Sequence, residues 1–405
     1  MCARPCCQLA FRLLTARWAR GRGIRMTRIL VTFLLIISFV TSACVVTDET
    51  VPDQPLLSVA QPKEPWQIVD ASPNVSDGLR VLVLHDMEGL SGQDDWKSFD
   101  YPRPEYPHGQ ELLIADINAV VDGLFAGGAT EVHIVDGHGS GNPEPDVLAD
   151  LLDPRASQVL RDEPFDTYFD MPESSMYDAV AVVGMHAKTG SGGFASHTFT
   201  LGIEFQINGY SITETELVGL SWGRAGVPVV FASGDDRLGN DLETMPWIQY
   251  VTVKTATSAT TAELRPVAEA RAALTSGARQ AIENLPSAKV MRVSTPVHAT
   301  LRAVPPASLA SLEGFPGVDY RDNSVSFVAA DLREAYDGLT AIVQVARTAY
   351  PQVMFELLRG KLNAQTTFDE YSTRLMERWL DFESGRWQPP EDVTGPGLRE
   401  YHGYR

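Results

Sequence analysis

The chain has 405 residues, 44% of them hydrophobic and 21% charged, with a formal net charge of −19. That composition excludes a disordered chain and leaves room for a large core and more than one domain, while the acidity excludes nucleic acid and anionic lipid as substrates, since both would be repelled. Cys2, Cys6, Cys7 and Cys44 are the only cysteines, so the body downstream has no disulfide and no thiolate site, and any metal there rests on imidazole and carboxylate.

All of the first 43 residues are free of acid, and seven of them are arginine. Within "MTRILVTFLLIISFVTSAC" (Met26 to Cys44) a positive start leads into an apolar stretch from Ile29 to Val40 and then small residues, the layout of a secretory signal peptide. The segment resembles a bacterial lipoprotein signal, in which Cys44 is lipidated and becomes the mature N-terminus. Thr41 departs from that pattern, which usually carries an aliphatic residue three before the cysteine. An uncleaved anchor is the rival reading, because uncharged residues run from Ile29 to Val46, about the minimum for a bilayer span. Either way the arginines stay cytoplasmic and the body lies in the cell envelope, outside the cytoplasm. Residues 1–43 are thus read as a targeting segment, with Met26 as an alternative start. Residues 44–78, rich in Pro, Asp and Ser, are read as a tether.

From Leu79 onward short apolar runs alternate with amphipathic stretches, the signature of an α/β fold. Strands are expected at Arg80–His85, Glu131–Val135, Ala179–Val183, Pro228–Ala232, Tyr250–Lys254 and Lys289–Val293. Helices are expected near Gly109–Phe125, Glu214–Arg224 and Pro266–Glu283. The spacing of the first strands favours a largely parallel wound sheet with flanking helices. "HTFTLGIEFQINGYSI" alternates around an Asn208–Gly209 turn signal and reads as a hairpin inserted in that sheet. Residues 79–288 form the α/β domain on this reading, 289–350 a smaller α+β portion of the same unit, and 351–405 a tail that is helical to about Asp381 and then irregular.

The chemistry gathers where strands end. "VLVLHDMEGLSG" runs four apolar residues into Asp86 and Glu88, which an extended backbone would project to one face. Two neighbouring carboxylates at the edge of an apolar core call for a cation between them. "EVHIVDGHGSG" ends on Asp136 and His138, and "AVAVVGMHAKTGSGG" on His186. The carboxyl edge of a wound sheet is where ligands bind. "ASHTFT" adds His197, and Glu214 opens a helix in "SITETELVGL", where the helix N-terminus favours its charge. The set Asp86, Glu88, His138, His186 and Glu214 suits a catalytic zinc pair, with manganese or cobalt as alternatives. Asp86 is the natural bridge between two metals about 3.5–4 Å apart, with an activated water as nucleophile, and His197 is placed to move a proton or stabilise an oxyanion.

Taken singly, a histidine at a strand end is more often structural than a ligand; the order and spacing of several together carry the reading. Asp136 is expected to accept hydrogen bonds or to support His138 from behind. Asp235 and Asp236 either support the site in the same way or cap the next helix. Lys254 is expected either to hold a substrate carboxylate or to be solvated at the surface. His133 is expected to pack, His108 to sit in a solvated loop, and His298 and His402 to have no role.

"HDMEGLSG", "VDGHGS", "GMHAKTGSGGFASHTF", "INGYSITETEL" and "VPVVFASGDDR", in that order, resemble the zinc-dependent D-aminopeptidase family of bacteria, over roughly Leu79 to Tyr350. The resemblance implies two Zn2+ per chain, with Asp86 bridging, Glu88 and His138 completing one site, and His186 and Glu214 the other. It implies His197 as the catalytic histidine, short peptides with D-residues as substrates, and homo-oligomers built as rings stacked into decamers. Two positions depart from the family pattern: Thr213 stands where Gly precedes the ligand Glu, and His85 precedes Asp86 where a small residue is usual. The competing functions are a peptide-binding lipoprotein without catalysis and a metal-dependent amidase or esterase acting on other substrates.

Overall fold

The structure is a computed structural model that describes residues 59–73, 78–160, 165–173, 176–305, 307–347, 356, 358–384 and 386. All of them belong to one compact unit, Leu56–Arg405. Cys44 and the expected targeting segment lie outside the described residues, as do the final residues of the tail and His402.

The strands are β1 (Trp66–Asp70), β2 (Arg80–His85), β3 (Glu131–Asp136), β4 (Ala156–Gln158), β5 (Ala179–Val183), β6 (Ile203–Ile207), β7 (Tyr210–Ile212), β8 (Val229–Asp235), β9 (Gln249–Ser258), β10 (Thr261–Leu264), β11 (Lys289–Val293), β12 (Val297–Ala303), β13 (Asp319–Arg321) and β14 (Ser324–Ala329). The principal helices are α1 (Tyr106–Gly127), α2 (Glu214–Ala225), α3 (Asp236–Asp241), α4 (Val267–Glu283), α5 (Leu332–Ala346) and α6 (Ala364–Glu383).

The central sheet has seven strands in the order β10-β9-β8-β5-β2-β3-β4. Every pairing in it is parallel except that of β10 with β9. The chain fills one side of β2 with β3 and β4, then crosses to the other side for β5, β8 and β9. A switch point therefore lies between β2 and β5, and in such sheets the crevice outside the strand ends there takes ligands. The mixed α/β fold with a largely parallel wound sheet is the one the alternating pattern predicts.

Why β2 is a central strand is plain from its burial. Val81 and Val83 enter the apolar cluster under α1 and α4, whereas Leu82 and Leu84 enter the cluster on the opposite face, and all four are wholly buried. A strand covered on both faces reads as a continuous apolar run, and each such side chain contributes about 1.5–3 kcal/mol relative to exposure. Helices α1 and α4 pack closely because Gly123 faces the Thr275 carbonyl; a Cβ there would collide with it.

Three expectations change. The hairpin β6–β7 is not in the wound sheet. It forms a second, five-stranded antiparallel sheet, ordered β13-β14-β12-β6-β7, with strands from the C-terminal portion. Strand pairing therefore crosses the boundary expected near residue 288, because the apolar faces of β6 and β12 complete one core. The span read as a tether also contains β1, paired antiparallel with β11, and its Trp66 packs edge-on to Tyr210 at 4.9 Å. The predicted helical start of the tail is α6. Among the described residues no helix is long and apolar enough to cross a membrane.

Candidate metal centre

The loop after β2 is fastened on several sides. Asp86 N–H donates to Val183 O at 2.8 Å and Gly89 N–H to Gly184 O at 2.7 Å, tying it to the end of β5. Ser91 donates through both its backbone N–H (2.7 Å) and its hydroxyl (2.5 Å) to Asp116 of α1, and Arg271 of α4 pairs with the same carboxylate at 3.1 Å. Gly89 meets the Met185 carbonyl so closely that no Cβ fits. Asp86 and Glu88 lie past the strand in a turn, so period-two alternation does not align them. They converge because the Met87 N–H donates to both Asp86 Oδ1 (2.9 Å) and Glu88 Oε2 (3.2 Å).

His138 follows β3, and Asp136 accepts its backbone N–H at 2.9 Å, shaping the turn that presents the ring. His186 follows β5. His197 returns on the loop behind it, its backbone N–H donating to Ala187 O at 3.0 Å. Glu214 is the first residue of α2, behind a capping box in which Thr213 Oγ1 accepts the Glu216 N–H (3.0 Å) and Glu216 Oε2 accepts the Thr213 N–H (2.7 Å). Thr213 is therefore the N-cap itself, a sound alternative to glycine at that position.

Asp86, Glu88, His138, His186 and Glu214 are all buried, and the candidate ligand atoms fall into three groups, each within 4.8 Å: Asp86–Glu88–His138, Asp86–His186–Glu214 and Glu88–His186–His197. Asp86 is shared by the first two. His186 Nε2 is 3.4 Å from Asp86 Oδ2 and 3.4 Å from Glu214 Oε1, and His138 Nδ1 is 3.3 Å from Glu88 Oε2. Two atoms each about 2.0–2.1 Å from a tetrahedral zinc stand about 3.4 Å apart. The same His186 Nε2 is buried without a hydrogen-bond partner, a costly arrangement unless a cation meets it. These residues fit zinc.

Each imidazole spends its other nitrogen on a backbone carbonyl. His138 Nε2 donates to Phe99 O (2.9 Å), His186 Nδ1 to Ala187 O (3.0 Å) and His197 Nδ1 to Ala195 O (2.6 Å). That bond fixes the ring and turns its second nitrogen toward the cluster. The acids are fixed as well: Glu214 Oε1 accepts the Phe199 N–H at 2.7 Å.

Burial works against charge at all these groups, yet their mutual attraction prevails. His138 is held well above the ordinary histidine value by Glu88 and Asp86, and His186 likewise by Glu214 and Asp86. Asp86 is held well below the carboxylate range by His138 and His186, and Glu214 is lowered chiefly by His186. His197 differs. Burial, reinforced by His186 stacked on it at 4.0 Å, lowers its pKa, which leaves a neutral ring able to accept a proton.

The remaining expectations resolve individually. Asp136 serves the backbones of His138 and Asp146 and lies 3.9 Å from His85 Nε2; the nitrogens of the His138 ring are held instead by Asp86 and by Phe99 O. Asp235 caps α3 through the N–H groups of Arg237 and Leu238, and its other oxygen accepts the Phe194 N–H at 2.7 Å on the loop leading to His197. His133 bonds the Tyr177 hydroxyl and His108 is exposed beside Glu111. Both readings of Lys254 are overturned. It is 1% exposed, with its ammonium bonded to Glu88 O and to Gln93, and burial pushes its pKa down to about 7. A lysine following the valines of "YVTVKTA" is the one available signal. Tyr168, whose hydroxyl donates to Glu214, and Asp116 carried none, since each acts across a distance in sequence that no local pattern records.

An imidazole and carboxylate cluster at the switch point of a wound sheet defines a metallohydrolase. Within that class, residues 79–341 match the D-aminopeptidases of peptidase family M55, and the chain belongs to that family. A D-aminopeptidase of Bacillus subtilis strain 168 is 27% identical over 281 residues, spanning 67% of this chain and 100% of the relative. Among solved structures the chain resembles the Zn-dependent D-aminopeptidase DppA of Bacillus subtilis, described as a self-compartmentalizing protease. The TM-score is 0.61 at 24% identity, over 67% of this chain and 98% of that one. At that identity the likeness is one of fold.

Proposed function

We propose that the chain is a di-zinc aminopeptidase that removes the N-terminal residue from short peptides containing D-amino acids. The observation that carries this reading is the placement of His186 Nε2, 3.4 Å from each of two carboxylates and without a hydrogen bond, beside an Asp86 shared with the His138 group. Asp86, Glu88 and His138 would hold one ion, and Asp86, His186 and Glu214 the other. Zinc bound there supplies Lewis acidity, polarising a carbonyl and lowering the pKa of water to about 7.

The chain's own groups do the rest. His197 Nε2 faces the cluster 3.9 Å from Glu88 Oε1, with its other nitrogen anchored on Ala195 O. From there the ring accepts the proton released on attack and returns it to the departing amine. His197 is the least enclosed of the three imidazoles, 14% exposed against 6% for His138 and 1% for His186, as suits a group that meets substrate.

The test is elemental analysis of the purified protein together with an assay on D-Ala-D-Ala and its L counterpart. Two zinc ions per chain and turnover of the D-peptide are expected; a metal-free protein without peptidase activity would overturn the reading. Manganese or cobalt in place of zinc would change the ion and leave the mechanism standing. The relative described as self-compartmentalizing supports a homo-oligomer, which light scattering checks. The apolar run from Ile29 to Val40 ahead of Cys44 supports an envelope lipoprotein, checked by palmitate labelling of the wild type against Cys44→Ser.

A further inference from the structure

Burying an ammonium costs several kcal/mol unless its donors are satisfied, so a buried lysine asks what it holds. Lys254 is the sixth of the ten residues of β9, beside Asp235 of β8 in the sheet register. An ammonium has three N–H donors, and those of Lys254 go to Glu88 O (2.5 Å), Gln93 O (3.0 Å) and Gln93 Oε1 (3.1 Å). Both carbonyls belong to the turn that carries Asp86 and Glu88. The same Nζ sits 4.1 Å from the ring centre of Phe194, itself 1% exposed, within the range of a cation–π contact. Phe194 belongs to the loop of His197: its N–H is fixed by Asp235, and the carbonyl of the next residue, Ala195, orients the His197 ring. One cation thus touches the two segments whose side chains, Glu88 and His197, approach to 3.9 Å across the candidate centre.

With all three donors engaged inside the protein, Lys254 has none left for a substrate carboxylate. We propose instead that Lys254 is a positioning residue for the metal centre, its ammonium holding the Glu88–Gln93 turn and the Phe194–His197 loop in register so that ligand and catalytic histidine face the same space. The inference rests on the di-zinc reading and deepens it. Asp116 fixes the same turn at Ser91 from the helical side, but it does not touch the His197 loop. Lys254 alone among these contacts spans both.

The experiment compares full-length wild type with Lys254→Met, which keeps the apolar stem and removes the donors, and with Lys254→Ala. Zinc affinity is read by competition with a chromophoric chelator, kcat and KM on D-Ala-D-Ala, and folding by thermal unfolding. Folded Lys254→Met is expected to bind its weaker zinc about 10- to 100-fold less tightly, in the range for loss of a group that orients a ligand. Its kcat should fall at least about tenfold by loss of alignment, with KM nearly unchanged. Ethylammonium, but not ethanol, should restore part of both losses in Lys254→Ala. A folded Lys254→Met with wild-type zinc affinity and kcat, altered only in melting temperature, would show a merely structural lysine and overturn the proposal. If neither variant accumulates folded, Lys254→Gln, which keeps an amide donor, carries the same measurements, and the same outcomes decide for or against the proposal. A wild type that binds no zinc sinks both readings, whereas a zinc-loaded wild type with an indifferent Lys254 sinks this one only.

Discussion

The Tyr168 hydroxyl donates to Glu214 Oε2 at 2.7 Å. Glu214 is thereby held at both oxygens, one by the tyrosine and one by the Phe199 N–H, with Oε1 3.4 Å from His186 Nε2. Tyr168 is itself pinned, since the Ser221 hydroxyl donates to its carbonyl at 2.5 Å. Tyr168→Phe keeps the ring packed against Phe199 and removes only the donor. Zinc affinity should fall about 10- to 100-fold, as for other groups that orient a metal-ligating side chain. Chelator competition measures it, and an unchanged affinity would remove Tyr168 from the site.

His186 and His197 stack at 4.0 Å but should respond differently to truncation. His186→Ala takes away an atom of the cluster itself, so zinc content and turnover should fall together. His197→Ala should leave zinc content near that of the wild type while turnover drops about 10²- to 10⁴-fold, the usual worth of a positioned acid–base group. Zinc analysis beside kcat separates the two; loss of metal in His197→Ala would reassign that ring as a ligand.

Thr213 closes the capping box of α2. Thr213→Ala removes the side-chain acceptor for the Glu216 N–H and should cost about 0.5–2 kcal/mol, seen as a lower midpoint in urea unfolding. Thr213→Gly should cost only a few tenths. The order of the two variants is the measurement that matters here.

Asp116 offers a test by pH. Its carboxyl is buried, and burial raises its pKa above the usual aspartate value despite bonds from Ser91 and Arg271. The folded state therefore holds the proton to higher pH than the unfolded chain. Stability falls as pH rises from the ordinary aspartate value through the folded one, then levels off. Asp116→Asn removes this group's titration, so the wild type should lose ground to the variant across that window. Urea unfolding at a series of pH values checks the slope; a difference independent of pH would contradict it.

Residues 79–288 were legible because their signals are local. The run "RVLVLH" names a strand buried on both faces, and "VDGH" and "GMH" mark strand ends bearing imidazoles. Asn208 and Gly209 announce their turn through positive φ, 52° and 78° in the structure, which the two-residue hairpin requires. The likeness of these blocks to a known family supplied the order in which they meet. Where the hairpin docks was not legible. β6 pairs with β12 across some ninety residues, and alternation along a strand says which face is apolar without saying which apolar face it will meet.

The amino-acid sequence by itself determined the parallel α/β architecture, the candidate ligands and their rim, because strand periodicity and side-chain chemistry are written residue by residue. Tertiary structure alone decided that Asp86 and Glu88 converge through a turn, that β1 returns to pair with β11, and that Lys254 points inward. Those outcomes depend on which distant groups share a desolvated space. A buried donor must find its acceptor wherever the packed chain places one, and no neighbour in sequence records that choice.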